Sequence, residues 1–82
     1  MQVTVWTKSA CPQCTLTKNL MKRKGIEYTE ADLEADPDQL ARFKEEGLMQ
    51  APIIVLGHDG RRWTGFRPDL IEELAYLAPV AE

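Results

Sequence analysis

Eighty-two residues suffice for one thin hydrophobic core and exclude a large multi-domain enzyme. With 44% apolar and 28% charged residues, the chain has the composition of a folding globular protein rather than a disordered one. Ten Lys and Arg against thirteen Asp and Glu leave a net charge of -3, opposite in sign to the footprint of a nucleic-acid binder, so no nucleic-acid partner is expected.

Val3 and Val5 alternate with Gln2 and Thr4, and with Trp6 they read as a buried first strand. After Thr7-Lys8-Ser9-Ala10, Pro12 suits the first position of a helix, because its ring pre-sets φ and the N–H it lacks would be unpaired there. That helix is predicted from Pro12 to Lys24, with Leu16, Leu20 and Met21 on one face. Lys22, Arg23 and Lys24 suit the negative end of its dipole, and Gly25 suits a left-handed cap. Ile26 and Tyr28 predict a short second strand ending at Glu30.

Asp36 is placed to N-cap a second helix that opens at Pro37. Gln39 would complete a capping box, Leu40 and Phe43 supply the buried face, and Gly47 stops the helix. Ile53 to Leu56 is a strand predicted to be buried on both faces. Gly57-His58-Asp59-Gly60 reads as a hairpin, Arg61 to Thr64 as an edge strand and Gly65-Phe66-Arg67 as a loop. Pro68 and Asp69 open a last helix with Leu70, Ile71, Leu74 and Leu77 on one face and Pro79 at its end.

The order β-α-β-α-β-β-α, with a crossover helix and a hairpin, predicts a four-stranded mixed sheet flanked by three helices in one domain spanning 1–82. The longest apolar runs, Ala51 to Leu56 and Leu74 to Val80, fall far short of the roughly 20 residues a membrane span needs. No basic n-region with a long apolar segment opens the chain, so the expected location is cytoplasmic and no membrane partner is expected.

Both cysteines lie in one C-x-x-C, where closing so short a loop stabilises by only about 2 kcal/mol in the chain-entropy model. A structural staple is a poor explanation. Cys11 precedes Pro12 and so takes the N-cap, while Cys14 lies one turn inside the helix, which puts both sulfurs on one side of the first turn. The positive dipole end favours a thiolate at Cys11, with Lys8 as an additional cation nearby. Cys11 is therefore the expected nucleophile and Cys14 the resolving thiol of a thiol–disulfide exchange. A zinc knuckle would need two more ligands and the chain has only His58, so neither a metal nor any bound cofactor is expected beyond the redox-active disulfide.

Thr7 to Cys14, Gln50-Ala51-Pro52 and Trp63-Thr64-Gly65-Phe66-Arg67-Pro68-Asp69 together resemble the NrdH-redoxins, glutaredoxin-like members of the thioredoxin superfamily, over nearly the whole chain. The resemblance implies a thioredoxin-like fold, thioredoxin reductase as electron donor and a class Ib ribonucleotide reductase as acceptor; the protein is expected to be a monomer. It makes Pro52, after Ala51, a cis-proline facing the cysteine pair. By position, Lys8, Pro12, Gln13, Ala51, Pro52, Phe66 and Arg67 would meet the partner, while Trp63, Gly65, Pro68 and Asp69 would support the site. In the family, the segment matching Trp63 to Asp69 replaces the glycine-rich, acidic segment with which glutaredoxins hold glutathione. Pro12 departs from the family's usual Val and matches the commoner glutaredoxin form, which makes a glutathione- or mycothiol-dependent glutaredoxin the enzymatic rival. The non-enzymatic rival is a zinc or iron–sulfur module built by two chains.

Overall fold

The computed structural model describes residues 2–57 and 60–77. Strands β1 (Val3–Thr7), β2 (Thr29–Asp32), β3 (Ile53–Leu56) and β4 (Arg62–Thr64) form one sheet in the order β2-β1-β3-β4. The β1–β2 pair is parallel, with Thr4 opposite Thr29, whereas β1–β3 and β3–β4 are antiparallel, with Val5 opposite Ile54 and Ile54 opposite Trp63. Helices α1 (Pro12–Arg23), α2 (Pro37–Glu45) and α3 (Pro68–Leu77) complete the expected order, and a 3₁₀ turn, Leu33–Ala35, lies between β2 and α2. This is the thioredoxin-like α/β fold.

Alternation along the strands divides the apolar residues between two cores. Val3, Val5, Ile54, Leu56 and Trp63 pack with Leu20 and Met21 of α1 and Ile71 and Leu74 of α3. Ile53 packs on the other face with Leu33 and Phe43, where the Trp6 ring meets Phe43 edge-on with centroids 5.6 Å apart. Ile53, Ile54 and Leu56 are buried as expected, while Val55 is only half-buried.

Both α1 and α2 end in Schellman geometry, and this moves the second strand. Gly25 N–H donates to the Lys22 carbonyl and Ile26 N–H to that of Met21; Gly47 and Leu48 do the same toward Lys44 and Phe43. The two glycines have φ of 74° and 83°, the left-handed conformation such caps require. Ile26 is thus held by the helix end and packs in the same core as Met21, so β2 begins at Thr29 rather than at Ile26 and runs past Glu30 to Asp32.

Three other expectations need correcting. Leu16 is 50% exposed, because Cys14 and Thr17 fix the inward face of α1 and Leu16 lies about 200° round the helix from Cys14. Asp36 Oδ1 does accept from Gln39 N–H at 3.1 Å, but the Gln39 side chain receives Arg42 and the Asp36 N–H donates to Leu33, so the capping box is only half formed. Helix α1 ends at Arg23, with Lys24 as its cap. The tip of the predicted hairpin, His58-Asp59, and the predicted helix stop, Pro79, lie outside the described residues.

Candidate active site

Cys11 has extended backbone, φ -122° and ψ 96°, and its Sγ accepts the Cys14 N–H at 3.1 Å, so a sulfur performs the task a Ser or Asp oxygen performs at other helix starts. Pro12 occupies the first helical position, exposed, as expected. Cys11 and Cys14 are joined in a disulfide, with Cα atoms 5.3 Å apart. Their environments differ: Cys11 is half-buried, whereas Cys14 is 3% exposed on the inward face of α1. One sulfur can be approached from outside and the other is shielded.

One polar link ties the two distant segments to each other, and a second ties them to this helix start. Gly65 N–H donates to the Pro52 carbonyl at 2.9 Å, and the next N–H, that of Phe66, donates to Gln13 Oε1 at 3.0 Å. The Ala51–Pro52 bond is cis and Pro52 is buried. Gly65 has φ 82°, and a Cβ there would lie 3.2 Å from Gln13 Oε1, so the position needs left-handed backbone and an added side chain would press on the Gln13 amide. The structure therefore brings together the cysteine pair, Gln13, Pro52, Gly65 and Phe66. Gln13 spends its amide oxygen on holding the loop.

Trp63 is 7% exposed in the core beneath that loop. Arg67 faces outward and grips Asp69 with two hydrogen bonds, Nε to Oδ1 at 3.1 Å and Nη2 to Oδ2 at 2.9 Å, while its carbonyl accepts the Leu70 and Ile71 N–H groups at the start of α3. Asp69 holds the guanidinium above its usual range, and Arg67, mainly by hydrogen bonding, holds the Asp69 carboxyl below its own. Pro68 opens α3.

The stretch leading into Cys11 is fastened by carboxylates that the sequence reading did not single out. Thr7 Oγ1 donates to Glu30 Oε2 at 3.1 Å, and Lys18 Nζ reaches the same oxygen at 3.0 Å. The Lys18 hydrogen bond, helped by that of Thr7, lowers the Glu30 pKa against the opposing effect of burial. Ser9 donates to Glu34 from its N–H and from its hydroxyl, the latter at 3.1 Å to each carboxylate oxygen. Lys8 lies on the groove these residues line, among Glu30, Asp32 and Glu34, and among the described residues no hydrogen bond joins it to Cys11. Ala10 has φ 54°, a left-handed conformation at a residue with a Cβ, immediately before the nucleophile position.

Among the described residues, no group of three or more His, Cys, Asp or Glu is placed to hold a metal ion, and no helix is long and apolar enough to cross a membrane.

The glutaredoxin family model matches residues 3–61. The chain is 34% identical to the glutaredoxin-like protein NrdH of Salmonella typhimurium over 74 residues, covering 90% of this chain and 89% of that protein. It is 32% identical to the NrdH of Lactococcus lactis subsp. cremoris over 73 residues, covering 89% of this chain and 99% of that one. The solved NrdH-redoxin of Escherichia coli superposes with a TM-score of 0.84 at 30% identity, over 99% of this chain and 100% of that chain. A disulfide-forming C-x-x-C at a helix start, in a matching fold and alongside these relatives, leads to one conclusion: the chain belongs to the glutaredoxin family, among its glutaredoxin-like NrdH members, and is a thiol–disulfide oxidoreductase.

Proposed function

We propose that this protein passes electrons from an NADPH-dependent thioredoxin reductase to a class Ib ribonucleotide reductase in the cytoplasm, working as a monomeric single domain with no bound cofactor. The observation that carries the redox part is the asymmetry of the pair, Cys11 approachable and Cys14 3% exposed. In the reduced protein the Cys11 thiolate, favoured by the helix start and the Cys14 N–H, attacks one sulfur of the acceptor's disulfide. That S–S bond breaks, one acceptor thiolate leaves, and Cys11 is held in a mixed disulfide. Cys14 then loses its proton and attacks the Cys11 sulfur, which releases the second acceptor thiolate and forms the Cys11–Cys14 disulfide. Two electrons have moved to the acceptor. The reductase dithiol reverses the sequence.

The choice of donor rests on the Trp63–Asp69 segment. It stands where glutaredoxins of the glutathione-using kind carry their glycine-rich acidic segment, and here Arg67 and Asp69 satisfy one another. The E. coli neighbour is described by its thioredoxin-like activity profile, which supports the same reading. In this proposal Phe66, Pro12 and the backbone at Ala51 and Pro52 form the rim that meets the partner. Lys8 contributes charge there, Arg67 completes the rim while holding the start of α3, and Gln13, Trp63, Gly65, Pro68 and Asp69 keep the rim in place.

Pro12 favours a second reading, a glutathione- or mycothiol-dependent glutaredoxin. Following NADPH consumption separates the two. Rapid turnover of the oxidised protein by thioredoxin reductase, with none by glutathione and glutathione reductase, is the expected result; the reverse result replaces the first reading with the second. Deoxyribonucleotide formation by a class Ib reductase then tests the acceptor, with Cys11→Ser expected to abolish it.

A further inference from the structure

Thr17 is 0% exposed, and its hydroxyl oxygen has no hydrogen-bond partner among the described residues. A buried hydroxyl without a partner costs roughly 1–3 kcal/mol, so its position calls for a compensating state. Thr17 follows Cys14 by three residues on the inward face of α1, and Cys14 is itself 3% exposed. Residues so spaced are neighbours on a helix, and side chains on a helix lean toward its N-terminus, so the Thr17 β-substituents lie over the turn that carries Cys14. In the disulfide, the Cys14 sulfur is drawn toward Cys11 by a covalent bond. When that bond opens, the sulfur is released as a thiol that can accept a hydrogen bond, and in the thiolate that attacks the mixed disulfide it becomes a strong acceptor in need of a buried donor.

We propose that Thr17 is a positioning residue of the redox centre, whose hydroxyl is orphaned in the oxidised protein and donates a hydrogen bond to the Cys14 sulfur once the disulfide is reduced. Reduction adds two electrons and two protons to the S–S bond and gives two thiols; Thr17 contributes no electrons and keeps its own proton. Its effect falls on two quantities. It favours the dithiol form over the disulfide, and it stabilises the Cys14 thiolate that must form before Cys14 attacks the mixed disulfide on Cys11. This inference rests on the cysteine pair and not on the identity of donor or acceptor.

The test compares wild type, Thr17→Val and Thr17→Ser in a defined dithiothreitol redox buffer, scoring the disulfide fraction by alkylation. Val keeps the shape and removes the donor, whereas Ser keeps the donor. The expected result is a three- to tenfold shift of the Val variant toward the disulfide, tenfold being about 30 mV for this two-electron couple, with Ser close to wild type. Urea unfolding of the two redox forms is expected to show Val destabilising the reduced protein relative to the oxidised one. If Val shifts neither the redox equilibrium nor this difference, the hydroxyl is satisfied alike in both states and the proposal is overturned. As a second measurement, the Cys14 thiol is titrated at 240 nm in a Cys11→Ser background. Thr17→Val is expected to raise its pKa and Thr17→Ser to leave it in place, and an unchanged pKa in the Val variant overturns the proposal independently of stability.

Discussion

The two flanks of the cysteine pair are held by different forces. After Cys11, the chain enters a helix whose inward face packs against the sheet, and the loop above it is drawn in by Gly65 and Phe66 through N–H groups bonded to Pro52 and Gln13. Before Cys11, Thr7 and Ser9 are held by the carboxylates of Glu30 in β2 and Glu34 in the 3₁₀ turn that follows it. Burial fixes the shielded cysteine through packing that salt does not screen, whereas the approach to the reactive one is also fastened at exposed carboxylates, where salt screens the Lys18–Glu30 pair and acid weakens it. The contrast matches the chemistry, because Cys14 has to be in one place while Cys11 has to reach partners.

The largest effects are expected on the buried side. Ile54 is 0% exposed beneath the site, and Ile54→Ala is expected to cost about 2–5 kcal/mol in urea unfolding, mostly as cavity. Next comes Gly65→Ala, expected to lose about 1–2 kcal/mol for its left-handed backbone. Gly47→Ala serves as its control, since φ there is 83° but nothing lies within 4 Å of the added Cβ. An excess loss at Gly65, with a raised KM for the protein partner, measures the contact with Gln13. Equal losses and unchanged kinetics would show that the loop tolerates the side chain.

Smaller effects are expected on the carboxylate side. Ser9→Ala removes two hydroxyl contacts to Glu34 and is expected to cost at most about 1 kcal/mol, with faster alkylation of Cys11 in the reduced protein as its clearer signature. Lys18→Met is expected to fall toward the low end of about 0–1 kcal/mol, because the pair's side chains are 27% and 46% exposed. Its pH dependence has a definite sign. The folded state depresses the Glu30 pKa, so the contribution of the pair is present above the ordinary carboxylate range and is lost as pH falls through the folded value. Wild type and Lys18→Met should therefore differ in unfolding midpoint at neutral pH and converge in acid, and a difference that persists in acid would assign the effect to packing of the lysine stem instead.

What the sequence made legible were features whose cause is local. Pro12 and Pro37 opened helices, Asp36 capped one, and Gly25 and Gly47 closed two, each through the backbone conformation its own residue type permits. The features that stayed hidden depend on tertiary neighbours. Ile26 alternates with polar residues as a strand residue would, yet the α1 cap claims it. Gln13 looked like a residue free to meet a partner, and only the fold shows that a backbone N–H 53 positions away occupies its oxygen. Ala10 takes a conformation that Gly or Asn would have signalled and Ala does not. Leu16 was read inward because apolar residues usually are, whereas the buried Cys14 and Thr17 had set the face.

The edge strands of the sheet are β2 and β4. Strand β2 shows exposed Thr29, Glu30 and Asp32 at one margin, and β4 at the other is only three residues long. Two copies meeting β2 to β2 would bring carboxylates against carboxylates, and two meeting at β4 would gain too few backbone hydrogen bonds to offset the loss of freedom. Charge on one edge strand and brevity of the other thus work against edge-to-edge stacking of copies.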